Sequence, residues 1–422
     1  MSSDSRDLTR LRGAPPARRE IVVLAAFALG ATTAMIWGWN WGVRTNDFGL
    51  EAASSFAALL HGHVLTFLHT APAYGASLIL RAPFALPAGL AHAGTLLVYQ
   101  LSALPCLLAI ATLGLWLARE LRRVGGKLIS AALVVAFCVA NPITYRAMAM
   151  GHPEELLGAA LCVAAVLAAQ RGRAHWAALA LGLAVANKQW ALIAVGPVLL
   201  ALPDRRLRTV VEAAAVALAL YAPILMASGS LTAGTARVAT TATGETFHPW
   251  QVFWFFGARG HWTPAMSGYI LNGFRLPPTW IGGRPHLLIV GITAPLTWWS
   301  LHRRTRPVDA LLLLALLALL RCWLDPWDIV YYPLPFIFAL AAWETSTAHR
   351  APLCAVVATA ATWLIFWFLP AHLSADAQSL SFLVPSTLAL AALAVVVYRL
   401  RPGALVAAAM LPLLTRAPAT PS

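Results

Sequence analysis

Apolar stretches of about 17 to 25 residues recur along almost the whole length of this 422-residue chain. A helix of that length crosses the hydrocarbon of a bilayer, and lipid leaves no partner for backbone amides that are not in helices. Only 11% of the residues are Asp, Glu, Lys or Arg, whereas a soluble chain carries roughly a quarter. The sequence therefore predicts an all-α, polytopic bundle of transmembrane helices.

The apolar stretches predict about twelve membrane spans. The spans begin near Ile21, His92, Leu128, Glu155, Ala177, Gln189, Thr209, His286, Val308, Ile329, Ala351 and Phe382. The runs at 177–187 and 189–203 are short, so one broken helix is an alternative there. The predicted organisation is a disordered tail at 1–19, a transmembrane domain at 20–400 and an interfacial tail at 401–422.

The positive charges orient these spans, because cytoplasmic loops of membrane proteins are enriched in Lys and Arg. Every second connection is basic, namely 119–127, 171–173, 205–208, 303–306, Arg350 and 399–401. The pattern predicts a multi-pass cell-membrane protein with both termini in the cytoplasm. The net charge of +14 does not indicate nucleic-acid binding, because the charges form short clusters and not a stripe.

Two of the predicted extracytoplasmic connections are long, at 43–90 and 228–284. The first contains an amphipathic stretch, Phe48–Leu60, which is predicted to lie along the membrane surface. The second contains an aromatic run that includes His248 and Trp250, and such residues favour the headgroup region. Ordered loops on a rigid scaffold are frequent locations of functional sites, so both loops are candidates.

Ionisable residues beside the hydrocarbon are costly and are therefore functional candidates. Asp47 lies six residues after the first apolar run, and Glu51 follows one helical turn later. Asp47 precedes the amphipathic stretch, so it could cap that helix or act in catalysis, and the two roles are compatible.

A second candidate opens the fourth span, in the order Gly151, His152, Pro153, Glu154 and Glu155. Proline suits a first helical turn, and acidic residues there stabilise the positive end of the helix dipole. That explanation covers the two glutamates. It does not cover His152, which is a candidate catalytic residue.

Isolated cations provide further candidates. Lys188 lies between two short apolar runs, where it could extend to the headgroups or bind a phosphate. Arg321 precedes Asp325, Asp328 and Tyr331 at a predicted outer edge. Arg321 could pair with these carboxylates or bind an anionic ligand through two parallel hydrogen bonds.

The sequence contains no Gly-rich phosphate loop, no nucleophile elbow and no Cys/His metal-binding motif. The short basic connections leave no room for a nucleotide site. A reaction is therefore predicted outside the cytoplasm, without ATP or a nucleotide sugar, and with a lipid-borne or exported donor. No cofactor and no metal ligand set is predicted, although Asp325 and Asp328 could hold a divalent ion.

Taken together, these motifs resemble the C-type glycosyltransferase superfamily, and most closely the polyprenyl-phosphate-mannose-dependent mannosyltransferases of family 87. The resemblance spans about residues 20–400. Its elements are an acidic first outer loop, Ala-Ala-x-x-Phe-Ala-x-Leu-Leu-His-Gly at 52–62, Gly-His-Pro-Glu at 151–154, Leu-Gly-Leu-Ala-x-x-x-Lys at 181–188 and Leu-Asp-Pro-Trp-x-x-x-Tyr-Tyr-x-x-Pro at 324–335.

The resemblance implies an inverting transfer of a sugar from a polyprenyl-phosphate donor to an extracytoplasmic glycan or glycolipid, with mannose as the expected sugar. Asp47 would be the general base, and His152 or His248 would assist proton transfer or hold the sugar. The donor phosphate would contact Arg321, Lys188, Arg146 and Arg259. Substrate contacts would come from Glu51, Tyr74, Glu154, His248, Trp250, Asp325 and Tyr331. Many relatives carry a paired acidic motif in the first loop, whereas Phe48 follows Asp47 here.

Two other classes remain open. A lipid or solute transporter is compatible with about twelve spans, although no internal repeat is visible and both long loops fall on one predicted side. A non-catalytic scaffold, or a polysaccharide ligase that uses a lipid-diphosphate donor, is the third possibility.

Overall fold

A computed structural model of the chain describes residues 17–72, 74–227, 247–259, 275–281, 285–302 and 305–400. These residues are predominantly helical, which confirms the predicted class. Two antiparallel strands of two residues each, β1 (Ala258–Arg259) and β2 (Arg275–Leu276), are the exception within the described ranges. Most of the predicted tail at 1–19, the tail at 401–422 and most of the loop at 228–284 lie outside the described residues.

The α-helices have the following bounds. They are α1 (Arg18–Trp37), α2 (Ala53–Leu60), α3 (Val64–Thr70), α4 (Gly75–Leu90), α5 (Thr95–Arg123), α6 (Leu128–Ala140), α7 (Pro142–Ala149), α8 (Pro153–Gln170), α9 (Ala174–Asn187), α10 (Val195–Ala201), α11 (Arg206–Ala227), α12 (Pro285–His302), α13 (Ala310–Leu324), α14 (Leu334–Ser346), α15 (Leu353–Trp363) and α16 (Ala375–Tyr398). Short 3₁₀ segments are Gln189–Ala194, Pro203–Arg205, Trp254–Phe256, Pro307–Asp309 and Leu369–Ala371, and π-helical turns are Phe48–Ala52 and Leu364–Phe368.

Eight helical segments among the described residues are long and apolar enough to cross a membrane. They are Arg18–Trp37, Thr95–Arg123, Leu128–Ala149, Pro153–Gln170, Pro203–Ala227, Pro307–Leu324, Leu353–Ala371 and Ala375–Tyr398. Each coincides with a predicted span, so a membrane-embedded, multi-pass protein is confirmed at this level. The other four predicted spans are shorter apolar helices, at Ala174–Asn187, Gln189–Ala201, Leu287–His302 and Leu334–Ser346.

The predicted outer connection at 43–90 is largely helical and not an extended loop, since it contains α2, α3 and α4. Its amphipathic stretch turns an apolar face toward the protein, where Phe48, Ala52 and Phe56 are fully buried. The Phe48 ring lies 4.8 Å from that of Tyr99 in α5, measured between centroids. This packing fixes the chain immediately after Asp47 against the bundle.

The chain reverses direction between α9 and the segment that follows it. α9 and α11 start side by side, because His175 Nδ1 lies 2.9 Å from Glu212 Oε2. Gln189 Nε2 donates to Tyr221 OH near the end of α11, at 2.8 Å. The first residue of α11 donates its side-chain Nε to the carbonyl of Leu199, at 3.2 Å. The two short runs are therefore antiparallel segments and not one broken helix.

The basic connections meet at one end of the bundle. Ion pairs there join segments that are far apart in sequence, and they are Arg122–Glu20 at 2.5 Å, Arg171–Glu120 at 3.0 Å and Arg399–Asp309 at 3.7 Å. Arg208 also connects two segments, because its Nη2 lies 3.1 Å from His175 Nε2. We call this the basic end. The predicted alternation of basic connections thus corresponds to a real geometric separation, and the candidate site described next lies at the opposite end.

Candidate functional site

Asp47 occupies the turn between α1 and the buried Phe48, and its side chain is 38% exposed. Its backbone N–H donates to the carbonyl of Met150 at 3.1 Å, which joins this turn to the start of α8. The Asp47 carboxylate does not cap the helix that follows. The neighbouring Asn46 does so, because its Oδ1 accepts from the Gly49 N–H at 3.2 Å. The carboxylate is therefore available for another contact.

That contact is His152. Its Nε2 lies 2.8 Å from Asp47 Oδ2, and its Nδ1 lies 2.7 Å from Glu154 Oε1. Gly151 makes this turn possible, since its φ of +90° is in the left-handed region and a Cβ there would lie 2.4 Å from the backbone nitrogen of Phe48. The imidazole is buried and bridges a half-exposed carboxylate to a fully buried one.

Glu154 is held by two further cations. Its Oε2 accepts from Arg81 Nη1 at 3.0 Å, and both side chains are almost completely buried. Arg81 Nε also donates to the carbonyl of Ser102 at 3.0 Å, and its Nη2 lies 3.3 Å from the Ser102 hydroxyl. A buried ion pair is stable only when its remaining hydrogen-bonding groups are satisfied, and these contacts provide that.

Lys188 is the second cation. Its Nζ lies 3.4 Å from Glu154 and 3.2 Å from Glu155, and only 14% of its side chain is exposed. The backbone break that places it there is held by Asn187, whose Nδ2 donates to the carbonyl of Glu154 at 2.8 Å. The lysine therefore points into the protein and binds carboxylates, and it does not extend to the headgroups.

Aromatic rings enclose this network. The Lys188 Nζ lies 4.1 Å from the centroid of the Tyr74 ring, and the Tyr74 hydroxyl donates to Glu51. The Tyr331 ring lies 4.9 Å from the imidazole of His152, measured between centroids. Asp47 and Glu51 thus form the accessible edge of a charged cluster whose deeper members are screened from water.

The environment sets the protonation state of His152. Burial lowers its pKa, but the charge of Glu154 and hydrogen bonds with Asp47 and Glu154 outweigh burial and raise the pKa to about 9. Burial also lowers the pKa of Lys188, and the charges of Glu155 and Glu154 more than reverse that effect. Both groups are therefore cations near neutral pH, and His152 donates a hydrogen bond to each carboxylate.

Arg321 forms a second cationic position next to this cluster. Its guanidinium lies 4.2 Å from the Tyr332 ring centroid and 4.9 Å from that of Trp190. Its Nε is 4.0 Å from Asp325 Oδ2, and its Nη1 has no hydrogen-bond partner among the described residues. The Asp325 side chain also accepts from the Trp327 N–H at 3.0 Å. Arg321 is therefore only loosely paired, and one of its donors remains available.

His248 and Trp250 lie beside the same segment. His248 Nδ1 donates to the carbonyl of Asp328 at 3.0 Å, and the Trp250 ring packs 4.7 Å from that of Phe366. Burial lowers the pKa of His248 despite that backbone hydrogen bond, so its imidazole is neutral near pH 7. Burial and the charge of Asp325 raise the pKa of Asp328 well above its usual range.

Two predicted phosphate ligands lie elsewhere. Arg146 stacks on Trp367 with its guanidinium 4.1 Å from a ring centroid. Arg259 is 82% exposed and lies 3.6 Å from Asp376, which Arg275 also binds at 2.9 Å. The described ion pair of Arg259 is with Asp376, which is not part of the Asp47 network.

Sequence reasoning missed Arg81, the most deeply buried cation of the cluster, and assigned Glu155 only to the helix dipole. Arg81 is a single charge within the apolar helix α4, and an ionisable residue inside such a helix is a functional candidate by default. That signal was present in the sequence. Its partner could not be inferred, because Glu154 is 73 residues away.

Among the described residues, no group of three or more His, Cys, Asp or Glu side chains could hold a metal ion. The described side chains around Asp47 offer acid–base and electrostatic chemistry. They define a multi-pass helical membrane protein with a buried charge network at one end of the bundle. No protein-family model, curated protein or solved structure matches the chain.

Proposed function

We propose that this protein is an inverting glycosyltransferase that moves a sugar from a polyprenyl-phosphate donor to a hydroxyl of an extracytoplasmic glycan or glycolipid. Mannose is the first candidate for that sugar. One observation carries the proposal. An accessible carboxylate, Asp47, accepts a hydrogen bond from His152, and His152 is in turn fixed by the buried Glu154. Enzymes often activate a nucleophile with a chain of three groups, in which a base is held by a second side chain and that side chain by a third. Asp47, His152 and Glu154 form such a chain here.

The proposed reaction uses Asp47 as the general base. The acceptor oxygen attacks the anomeric carbon of the donor sugar, while Asp47 takes the acceptor proton. The bond between that carbon and the phosphate oxygen breaks, and its electron pair leaves with the polyprenyl phosphate. The products are the glycosylated acceptor, with inverted configuration, and the lipid phosphate.

The contacts of each residue suggest its role in the proposed reaction. His152 occupies Oδ2 of Asp47, whereas Oδ1 accepts no hydrogen bond from the described residues, and the side chain as a whole is 38% exposed. Lys188 and Arg321 supply positive charge next to this position, and a phosphate that leaves needs such charge more than it needs a proton. Arg259 contributes less in this arrangement, because its guanidinium is 82% exposed and pairs with Asp376.

The location of the charges favours an enzyme over a transporter. Transporters place coupling residues near the bilayer midplane, at the junction of two related halves. Here most of the buried charges are at helix ends, since Glu154 and Glu155 are in the first turn of α8 and Arg321 is in the last turn of α13, whereas Arg81 lies inside α4. The proposed sidedness, with this end extracytoplasmic, rests on the basic connections at the opposite end.

Substitution of Asp47 by Asn tests the proposal. Membranes that contain the variant are supplied with polyprenyl-phosphate mannose, and mannolipid or mannoglycan formation is measured. Loss of a general base costs roughly 100-fold or more, so transfer should fall by at least that factor. Asp204→Asn, an exposed carboxyl at the basic end, is the matched control and should retain full activity.

Three outcomes would contradict the proposal. Full activity of D47N would exclude Asp47 as the base. Loss of transfer in Glu51→Gln but not in D47N would assign the base to the neighbouring carboxylate. Accumulation of donor lipid or solute in reconstituted vesicles, without formation of a glycosidic bond, would identify a transporter.

A further inference from the structure

A groove of about 430 Å³ opens at the basic end, far from the proposed catalytic site. It lies between α1 and the second half of α5. Its inner part is apolar and includes Leu24 and Leu115, and its outer rim is formed by arginines. The exposed Val22 and Val23 on α1 are next to it, so the groove borders a helix surface that faces lipid in a membrane-embedded protein.

The rim carries more positive charge than its acidic partner can neutralise. Arg123 and Arg171 both pair with Glu120, at 2.7 and 3.0 Å. Arg119 and Arg173 are exposed and make no ion pair with any residue in the part of the chain that the structure describes. Four arginines thus surround one glutamate, and two of the guanidinium groups are available to a ligand.

Arg171 joins the arginine rim of the groove to an aromatic ring of α5. The Arg171 guanidinium lies 4.6 Å from the centroid of the Trp116 ring, and its Nη1 donates to the carbonyl of Leu167 at 2.9 Å. These contacts hold the turn at 171–173 against α5. The apolar wall and the arginine rim line the same groove, so a ligand that contacts both needs an apolar part and an anionic part.

We propose that this groove binds one anionic phospholipid. The phosphate contacts Arg119 and Arg173, and an acyl chain lies along Ile21, Ala25 and Leu115. Charge complementarity selects an anionic headgroup over a zwitterionic one, and the apolar wall selects a lipid over free phosphate. Basic pockets between transmembrane helices are suited to such headgroups. This site is independent of the proposed transferase activity.

The test uses the purified full-length protein and native mass spectrometry. Phosphatidylglycerol and phosphatidylcholine with identical acyl chains are added in turn, and the lipid-bound fraction is measured. The double variant Arg119→Gln/Arg173→Gln should bind phosphatidylglycerol at least about tenfold more weakly than the unmodified protein. The control Arg205→Gln/Arg306→Gln removes two exposed arginines of the same end outside the groove and should bind normally.

A second variant separates a lipid from a simple anion. Thr112→Trp fills the exposed side of the groove without altering the arginines, so it should reduce phosphatidylglycerol binding by a similar factor. Both groove variants should unfold at the same temperature as the unmodified protein. Equal binding of the two lipids, or equal loss in the control, would overturn the proposal. So would displacement of the lipid by equimolar inorganic phosphate combined with normal binding in T112W.

Discussion

The bridge that His152 makes between Asp47 and Glu154 predicts a specific dependence of stability on pH. The folded protein raises the pKa of this imidazole from 6.5 to about 9, so the folded state binds its proton more tightly than the unfolded chain does. The shift corresponds to roughly 3 kcal/mol of stabilisation when the imidazole is charged in both states. His152 is buried, so solvent screening reduces this value little.

The sign follows from proton linkage. Below about pH 6.5 both states hold the proton, and the full stabilisation is present. As the pH rises to about 9, the unfolded chain has lost the proton that the folded protein retains, and the contribution declines to zero. For a chain of this size, a loss of 1 kcal/mol lowers the unfolding midpoint by about 2 °C or less. The midpoint should therefore fall by up to about 6 °C over this pH interval.

The assay is thermal unfolding of the detergent-solubilised protein at several values across this pH interval. His152→Gln removes the titrating group, so the variant should start from a lower midpoint and show a flatter pH dependence. His61→Gln is the matched control, because His61 is exposed and its ring contacts the Ala57 carbonyl of the helix that precedes it. An unchanged slope in H152Q, or an equal change in H61Q, would refute the reasoning.

Two further predictions concern stability alone, and thermal unfolding measures both. Gly151→Ala should destabilise the fold by roughly 2–4 kcal/mol, because an added Cβ would lie 2.4 Å from a backbone nitrogen and the left-handed φ adds strain. Gly125 has a similar φ but open space around it, so Gly125→Ala should cost only about 1–2 kcal/mol. Equal losses in the two variants would disprove the clash. Arg81→Met should destabilise the fold by about 3–5 kcal/mol, because it removes a cation that neutralises the buried Glu154. Adding Glu154→Leu to this variant should recover part of that loss. Strictly additive losses would contradict a direct interaction between the two side chains.

The helical class and the polarity of the bundle could be predicted because they depend on local composition. Each apolar run predicted a helix from its own residues, and the basic connections correctly predicted which loops share an end. The predicted bounds are less accurate where a helix extends beyond its apolar residues. For example, α1 begins at Arg18, within the stretch assigned to the tail. The connection at 43–90 was predicted as a loop because its helices are too short to cross a bilayer.

The site was predicted one residue at a time, and the structure shows which of these residues meet. Asp47, His152, Glu154 and Lys188 were all candidates, each for a local reason. Their contacts depend on a chain separation of 105 residues between Asp47 and His152, and a single sequence contains no signal for such a pair. The question of whether Asp47 caps a helix was settled by Asn46, an adjacent side chain of equal capping ability.

The pairing of Arg81 with Glu154 also constrains how the protein is made. The ribosome synthesises Arg81 well before Glu154, since 73 residues separate them, and Lys188 follows later still. Until α8 arrives, α4 carries an uncompensated guanidinium, which makes independent insertion of this short helix into lipid unfavourable. We therefore expect α4 to reach its packed position only once α8 is in place, so the same carboxylate that orients His152 would also complete the assembly of the bundle.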